Sequence, residues 1–255
     1  MSSILTLLIY YWIIIFSIIG YGFFFNNFFL KNLDKDIGII GIYGIFSLLF
    51  ISYISSFFLP HSALFNSIVL IIGFINLIIN KNIIKKDLKK LSVVFGILII
   101  FIFAYKNHDD FSYYHFPYAH LLTEFPNMIG LGNFNHGFRT QSSIFYLSSL
   151  FNLPFSNYFL LHLSPVFFMG FGNIIFYNKI SESLGSKKSH FILYLSLLSL
   201  IFVNVFFYRL AEHGTDRSAM ILIMVTIIEL IYLTNIHINI KENSFLKLLI
   251  LITLI

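Results

Sequence analysis

The chain contains no cysteine and few charged residues, and each scarcity excludes a class of protein. Without cysteine, disulfide bonds, thiolate metal sites and cysteine nucleophiles cannot form. Charged residues make up 11% of the 255 residues, whereas about a quarter is usual in a soluble domain, whose surface must be hydrated. Hydrophobic residues make up 58%, and the mean hydropathy is +0.87. Much of the protein surface is therefore expected to face lipid.

Several sequence motifs are also absent. There is no Walker phosphate loop, dinucleotide-binding fingerprint, zinc-protease helix or serine elbow, so chemistry with a soluble cofactor is not expected. The net charge is +5, but the basic residues lie in short loops between apolar runs, as topology determinants do. We therefore expect membrane lipids, and not nucleic acid, as partners.

Apolar runs long enough to cross about 30 Å of hydrocarbon recur along the chain. We predict an all-α, polytopic transmembrane helical bundle that forms one domain over residues 1–255. About seven complete spans are expected, near 4–25, 37–59, 63–80, 91–105, 157–178, 191–208 and 220–234. An eighth run begins at Phe245 and is still incomplete at Ile255. We expect it to be a truncated span that further C-terminal spans would follow in a longer protein.

The basic residues are distributed unevenly between the two sides of this predicted bundle. Twelve of the sixteen lysines and arginines fall on one side, which the positive-inside rule assigns to the cytoplasm. They are Lys31, Lys35, Lys81, Lys85, Lys86, Lys89, Lys90, Lys179, Lys187, Lys188, Lys241 and Lys247. The sequence thus predicts a bacterial inner (plasma) membrane protein with its N-terminus outside the cytoplasm.

The connection 106–141 is the longest between two predicted spans and falls on the outer side. Because it is rich in Phe and Tyr, we expect it to be ordered and partly helical, with a helix that begins near Pro117 and ends at 127–130. His120 and Glu124 would share one face of that helix. The apolar stretch 142–155 is too short to span the bilayer, so it is expected to lie along the interface or re-enter the membrane.

Two adjacent carboxylates, Asp109 and Asp110, directly follow the fourth predicted span. Such a pair can bind a divalent cation, here Mg²⁺ or Mn²⁺, or one acid can act as a base while the other orients it. The pair can equally mark the end of a helix at the water boundary. These two residues alone leave both interpretations open.

Residues 110–117 read DFSYYHFP. This string resembles the D-x-x-x-Y-H-x-P motif in the first large outer loop of bacterial GT-C-type membrane glycosyltransferases, relatives of the protein O-mannosyltransferases and lipid A aminoarabinose transferases. The resemblance covers residues 105–150. It implies a sugar donor linked to polyprenyl phosphate and a catalytic role for Asp110, with Tyr114 and His115 at further motif positions. The chain departs from the pattern of that family in two places. Three extra spans precede the loop, and Tyr118 stands where a basic residue often follows the motif proline.

A second polar segment, 209–217, reads RLAEHGTDR, and five of its nine residues are ionisable. Arginine suits phosphate because its planar guanidinium donates two parallel hydrogen bonds. A turn at Gly214 would bring Arg209 and Arg217 toward one ligand. A polar turn in water needs no ligand, however, and that interpretation stays open. The candidate substrate-binding residues are Tyr114, Arg139, Arg209, Glu212, His213, Asp216 and Arg217.

Glu229 lies within the seventh predicted span, where an ionisable residue indicates either a function or a partner on another span. His162, Asn173 and Asn204 are the partners that the sequence offers. We expect a GT-C-like glycosyltransferase that moves a sugar from a polyprenyl-phosphate donor to a glycan, lipid or protein acceptor on the periplasmic face. The alternatives are a transporter or flippase that uses Glu229, a protein like the O-antigen polymerases and ligases, and a non-catalytic scaffold.

Overall fold

The computed structural model describes residues 3–31, 33–104, 109–139, 141–185, 190–208, 210, 215–235 and 242–255. All regular structure within these residues is helical. The α-helices are α1 (Ser3–Phe28), α2 (Ile37–Ser56), α3 (Ala63–Ile79), α4 (Lys81–Ile84), α5 (Leu88–Ile102), α6 (Phe116–Glu124), α7 (Ser143–Ser149), α8 (Ser164–Gly185), α9 (His190–Phe206), α10 (Thr215–Asn235) and α11 (Glu242–Thr253). A π-helical turn covers Phe111–His115, and 3₁₀ turns cover Leu131–Asn133 and His136–Arg139.

Among the described residues, three helices are long and apolar enough to cross a membrane, namely Ile4–Phe28, Ile37–Ser56 and Asp216–Thr234. Each predicted span, including the incomplete eighth, coincides with a helix, so the all-helical class is confirmed. The predicted number of about seven complete spans is not confirmed, because α3, α5 and α9 contain only 15–17 residues. At about 1.5 Å per residue these helices reach about 22–26 Å, which is short of a bilayer core.

The fifth predicted span is wrong at its beginning. It was expected from residue 157, but α8 starts at Ser164. The backbone of Phe155, Asn157 and Tyr158 lies in the left-handed region, with φ of 62°, 44° and 65°. Successive residues in a right-handed helix cannot adopt this conformation, so the apolar stretch 154–163 remains irregular.

Small residues bring the N-terminal helices close together. The carbonyl oxygen of Ile40 occupies the space that a β-carbon at Gly22 would need, and that of Ile18 does the same at Gly44. Close approach at small residues is a common way for helices to associate where no water drives them together. α8 then packs against α2, α5, α9 and α10 and joins this group to the C-terminal half.

The lysine-rich connections gather at one end of the bundle, which we call the lysine end (residues 33–36, 81–90 and the C-terminal part of α8). Asn178 of α8 links them, since it donates to Asp36 Oδ1 at 2.8 Å and accepts from Lys90 Nζ at 2.6 Å. The opposite end, the loop end, holds residues 57–62, 109–139 and 141–163 and the start of α10. This grouping matches the alternation that the basic residues predict.

A buried network of four charges lies near the lysine end. Lys179 of α8 and Lys247 of α11 contact the two carboxylate oxygens of Glu229 at 2.9 and 2.8 Å. Lys247 also contacts Asp34 at 2.8 Å, and the Tyr43 hydroxyl donates to Asp34. Two lysines balance two carboxylates, and Glu229 is only 1% exposed. The network therefore carries no net charge and ties α11 to the α1–α2 connection.

The partners of Glu229 differ from those that the sequence offered. Asn173 and Asn204 hydrogen-bond to each other through both amides, at 3.1 and 3.0 Å. Glu229 lies six residues before the end of α10 and not at its middle. That position brings it to the depth of Lys179 and Lys247, whose charges a buried carboxylate requires.

We expect Lys247→Met to lower the free energy of unfolding by about 3–5 kcal/mol, because it leaves a buried carboxylate without a compensating cation. The double variant Asp34→Asn with Lys247→Met restores charge balance, so it should recover about 1–3 kcal/mol of that loss. Thermal and denaturant unfolding of the purified protein in detergent measures both. Equal stability of the single and double variants would contradict the charge-balance explanation.

Candidate active site at the loop end

A buried histidine organises the loop end. His61, in the connection between α2 and α3, is fully buried. Its Nδ1 hydrogen-bonds with the Ser149 hydroxyl at 2.6 Å, and its Nε2 with the Ser55 hydroxyl at 2.9 Å. Its backbone N–H donates to the Leu122 carbonyl at 2.8 Å. One residue thus connects α2, α6 and α7.

Asn66 of α3 completes this cluster. Its side-chain amide faces the backbone carbonyls of His61, Ser149 and Asn152, at 2.8, 2.9 and 2.9 Å. Buried carbonyls need such donors, and an irregular segment cannot supply them from its own backbone. Asn66 therefore holds the end of α7 and the irregular stretch that follows it.

The helical part of the stretch 142–155 is enclosed by other helices of the protein. It contains α7, which packs against α2, α6 and α8, and every residue from Ile144 to Ser149 is buried. A helix buried on all sides is enclosed by protein. The contacts of His61 and Asn66 explain how the short apolar stretch is held there.

The D-x-x-x-Y-H-x-P string forms an uncommon local structure. Asp110 precedes the π-helical turn Phe111–His115, which leads directly into α6 with Pro117 in the first turn. Single π-turns within helices are rare and frequent at functional sites. The helix expected from Pro117 is confirmed but ends at Glu124, because Phe125 is extended before Pro126.

Aromatic packing fixes the central residues of this string. The Tyr114 ring lies edge-on to the His115 ring, with 4.3 Å between centroids. His115 is buried, and its ring centroid is 5.1 Å from that of Phe145 on α7. The turn His136–Arg139 approaches through Gly137, where a β-carbon would collide with Tyr114. The motif is thus held between α7 and the end of the long loop.

Charges from both polar segments of the sequence act on Tyr114. Burial raises the pKa of its hydroxyl, and the negative charges of Asp110 and Asp216 raise it further. Asp216 lies in the first turn of α10, 102 residues after Tyr114. One carboxylate of the motif loop and one of the segment 209–217 therefore both lie within electrostatic reach of Tyr114.

The remaining candidates divide into three groups. Asp109 and Asp216 are exposed, and Asp110 and Arg217 are partly buried. Arg139 is exposed, and its Nε donates to the Gly132 carbonyl at 3.1 Å. Three candidates lie outside the described residues, namely Arg209, Glu212 and His213.

The sequence predicted only part of one cluster of contacts at the loop end. The His120 ring lies 4.5 Å from the ring of Tyr158, and the Tyr158 hydroxyl donates to Glu124 Oε1 at 3.2 Å. The spacing of His120 and Glu124 predicted their shared face. Tyr158 could not be predicted, because it belongs to the stretch expected to be helical.

No group of three or more His, Asp or Glu residues that could hold a metal ion occurs within the described part of the chain. Asp109 and Asp110 alone offer two carboxylates to Mg²⁺ or Mn²⁺, both of which prefer about six oxygen ligands. We therefore assign no step of a mechanism to a metal ion.

Three comparisons with known proteins complete this description. Residues 4–255 match the family described as Domain of unknown function (DUF8201). Neither the curated proteins nor the solved structures contain a match to the chain. The family match covers nearly the whole chain, including both polar segments of the loop end.

The buried His61 makes the stability of the protein depend on pH. Burial lowers the pKa of His61 from 6.5 to about 4, so between these values the unfolded chain binds a proton that the folded chain excludes. Stability should therefore fall as the pH falls from 6.5 to 4, by on the order of 3 kcal/mol from this residue. His61→Gln should be less stable at pH 7 but show a flatter dependence. Unfolding measured across this range would contradict the assignment if both proteins gave the same slope.

Proposed function

The chain belongs to the DUF8201 family, and we propose that it is a GT-C-type membrane glycosyltransferase. Its reaction would move a sugar from a polyprenyl-phosphate donor to a glycan, lipid or protein acceptor. The observation that carries this proposal is that the charges of Asp110, in the motif loop, and of Asp216, at the start of α10, both act on Tyr114. An acid in the motif loop and arginine-flanked residues on α10 are the groups that such a transfer needs.

In the proposed reaction Asp110 accepts the proton of the acceptor hydroxyl. The acceptor oxygen forms a bond to the anomeric carbon while the bond from that carbon to the phosphate oxygen breaks. The lipid leaves as a phosphate, whose added negative charge Arg217 and Arg209 neutralise. Because one base activates the acceptor on the face opposite the leaving group, the configuration at the anomeric carbon is inverted.

Tyr114 and His115 position this chemistry. The Tyr114 hydroxyl is protonated at neutral pH, as a tyrosine ordinarily is, and its raised pKa extends this to higher pH. It can therefore donate a hydrogen bond to the donor phosphate or to a carboxylate. His115 packs between Tyr114 and Phe145 and so fixes the direction of the tyrosine ring. Asp109, one residue before Asp110 and exposed to water, is the second acid available to the acceptor.

The proposal includes an orientation in the membrane. The lysine end would face the cytoplasm and the loop end the periplasm of a bacterial inner membrane, following the positive-inside rule. A sugar donor with a long lipid chain suits this arrangement, because its phosphate would lie at the membrane surface beside the apolar helices.

The transport alternative finds less support. It relied on Glu229 as an ionisable group on a path through the membrane. Lys179 and Lys247 occupy both oxygens of that carboxylate, and Asp34 balances the second lysine. A neutral, interlocked network is better suited to holding helices together than to carrying a solute.

Asp110→Asn tests the proposal, with Glu124→Gln as the matched control because it neutralises another acid of the same loop. Lipid-linked sugar is supplied to membranes containing equal amounts of each protein, and labelled product is separated and counted. We expect Asp110→Asn to lower transfer by about 10²–10⁴-fold, the usual contribution of a general base. Glu124→Gln should retain transfer within a few-fold.

Transfer that survives Asp110→Asn would overturn the catalytic assignment. Product length separates the related alternative, since a polymerase or ligase would move an assembled glycan and a transferase of this type a single sugar. A wild-type protein that transfers neither, together with transport lost in Glu229→Gln, would replace the proposal with the transporter hypothesis.

A further inference from the structure

A groove opens between α5, α8 and α9 at the lysine end. We call it the α5–α9 groove. Its volume is about 730 Å³, and most of its lining is apolar. The walls include Val93, Ile97 and Ile201, and the mouth carries Lys86, Lys89 and Lys90.

The groove has the length of a lipid chain. Its lining on α5 runs from Lys89 to Leu98, nine residues further on, which is about 14 Å along the helix axis. The Asn173–Asn204 amide pair also lines it. Half of a bilayer core is about 15 Å thick. A chain from one leaflet therefore fits along α5 between the mouth and Leu98.

The mouth of the α5–α9 groove carries positive charge that can bind an anion. Lys90 Nζ contacts Asp87 at 3.2 Å and Asn178 at 2.6 Å, so this ammonium group is held in one place. Lys86 and Lys89 are exposed beside it. Around this groove and the polar cavity beside it, the four lysines Lys35, Lys86, Lys89 and Lys90 exceed the three carboxylates Asp36, Asp87 and Glu182 by one charge. That excess suits one phosphate group.

A second, polar cavity of about 320 Å³ shares Lys86, Asp87 and Lys90 with the groove and extends away from it. Side chains with oxygen and nitrogen atoms surround it, among them Asp36, Asn178, Ser181 and Glu182. Such a lining offers hydrogen-bond acceptors to hydroxyl groups.

We propose that the two cavities together bind one anionic phospholipid with a hydroxylated headgroup, of the phosphatidylglycerol class. An acyl chain fills the α5–α9 groove, the phosphate lies among Lys86, Lys89 and Lys90, and the headgroup hydroxyls enter the polar cavity. The site lies at the end opposite the candidate active site, so it does not depend on the proposed function.

Lipid binding to the full chain, purified in a neutral detergent, tests the proposal. The protein is titrated with phosphatidylglycerol, phosphatidylcholine or soluble glycerol phosphate, and bound molecules are counted by native mass spectrometry. The headgroup variant is Lys86→Gln with Lys89→Gln. Its matched control is Lys81→Gln with Lys85→Gln, which removes the same charge from the same segment at exposed positions outside both cavities.

A second pair of variants tests the groove itself. Ile97→Trp fills it, whereas Ile100→Trp adds the same bulk to an exposed position of α5 that does not line it. All four lysines and Ile100 are exposed, so these variants keep the proposal testable even if Ile97→Trp fails to fold.

We expect one tightly retained phosphatidylglycerol, with affinity lowered about tenfold or more in Lys86→Gln with Lys89→Gln. The control pair of lysines should stay within twofold of the wild type, and Ile97→Trp should bind less than Ile100→Trp. Equal losses in both lysine pairs would overturn the site in favour of general attraction to an anionic surface. Equal binding of phosphatidylcholine, or displacement of the lipid by glycerol phosphate at matched concentration, would also overturn it.

Discussion

The hydrogen bonds of His61 and Asn66 hold the part of the molecule on which the candidate site depends. Both side chains are buried. His61 hydrogen-bonds with the hydroxyls of Ser149 and Ser55, and Asn66 faces the backbone carbonyls of Ser149 and Asn152, where α7 ends. Through Ser149 they fix α7, and Phe145 of α7 packs against His115. The π-helical turn with Asp110 and Tyr114 therefore owes its place to two residues outside the long loop.

Buried polar contacts also hold the lysine end together, but there they join charged side chains. Glu229 is buried because Lys179 and Lys247 neutralise it, and Asp34 balances the second lysine. Both ends of the bundle are thus fixed by buried polar contacts, while apolar and small residues pack the helices between them. The two ends of the bundle carry different surface features. The loop end carries the candidate site with its carboxylates, and the lysine end carries the α5–α9 groove.

The sequence predicted what depends on neighbouring residues and missed what depends on distant ones. Most of each apolar run became a helix, and Pro117 marked the first turn of α6, because hydropathy and backbone geometry act locally. The irregular stretch before Ser164 escaped prediction, since its apolar composition is that of a span and hydropathy does not report its left-handed residues. The effect of the Asp216 charge on Tyr114 joins segments separated by the whole of α6, α7, α8 and α9, and no spacing rule reports such an effect.

The most direct test of this account is cross-linking between the two outer segments, which the absence of native cysteine makes clean. The protein with Tyr114→Cys and Asp216→Cys is treated with a short bifunctional maleimide. Glu124→Cys with Tyr158→Cys serves as the positive control, because those side chains are in contact. The account predicts an intramolecular cross-link in both pairs. A cross-link in the control pair alone would contradict the claim that the motif loop and α10 form one site.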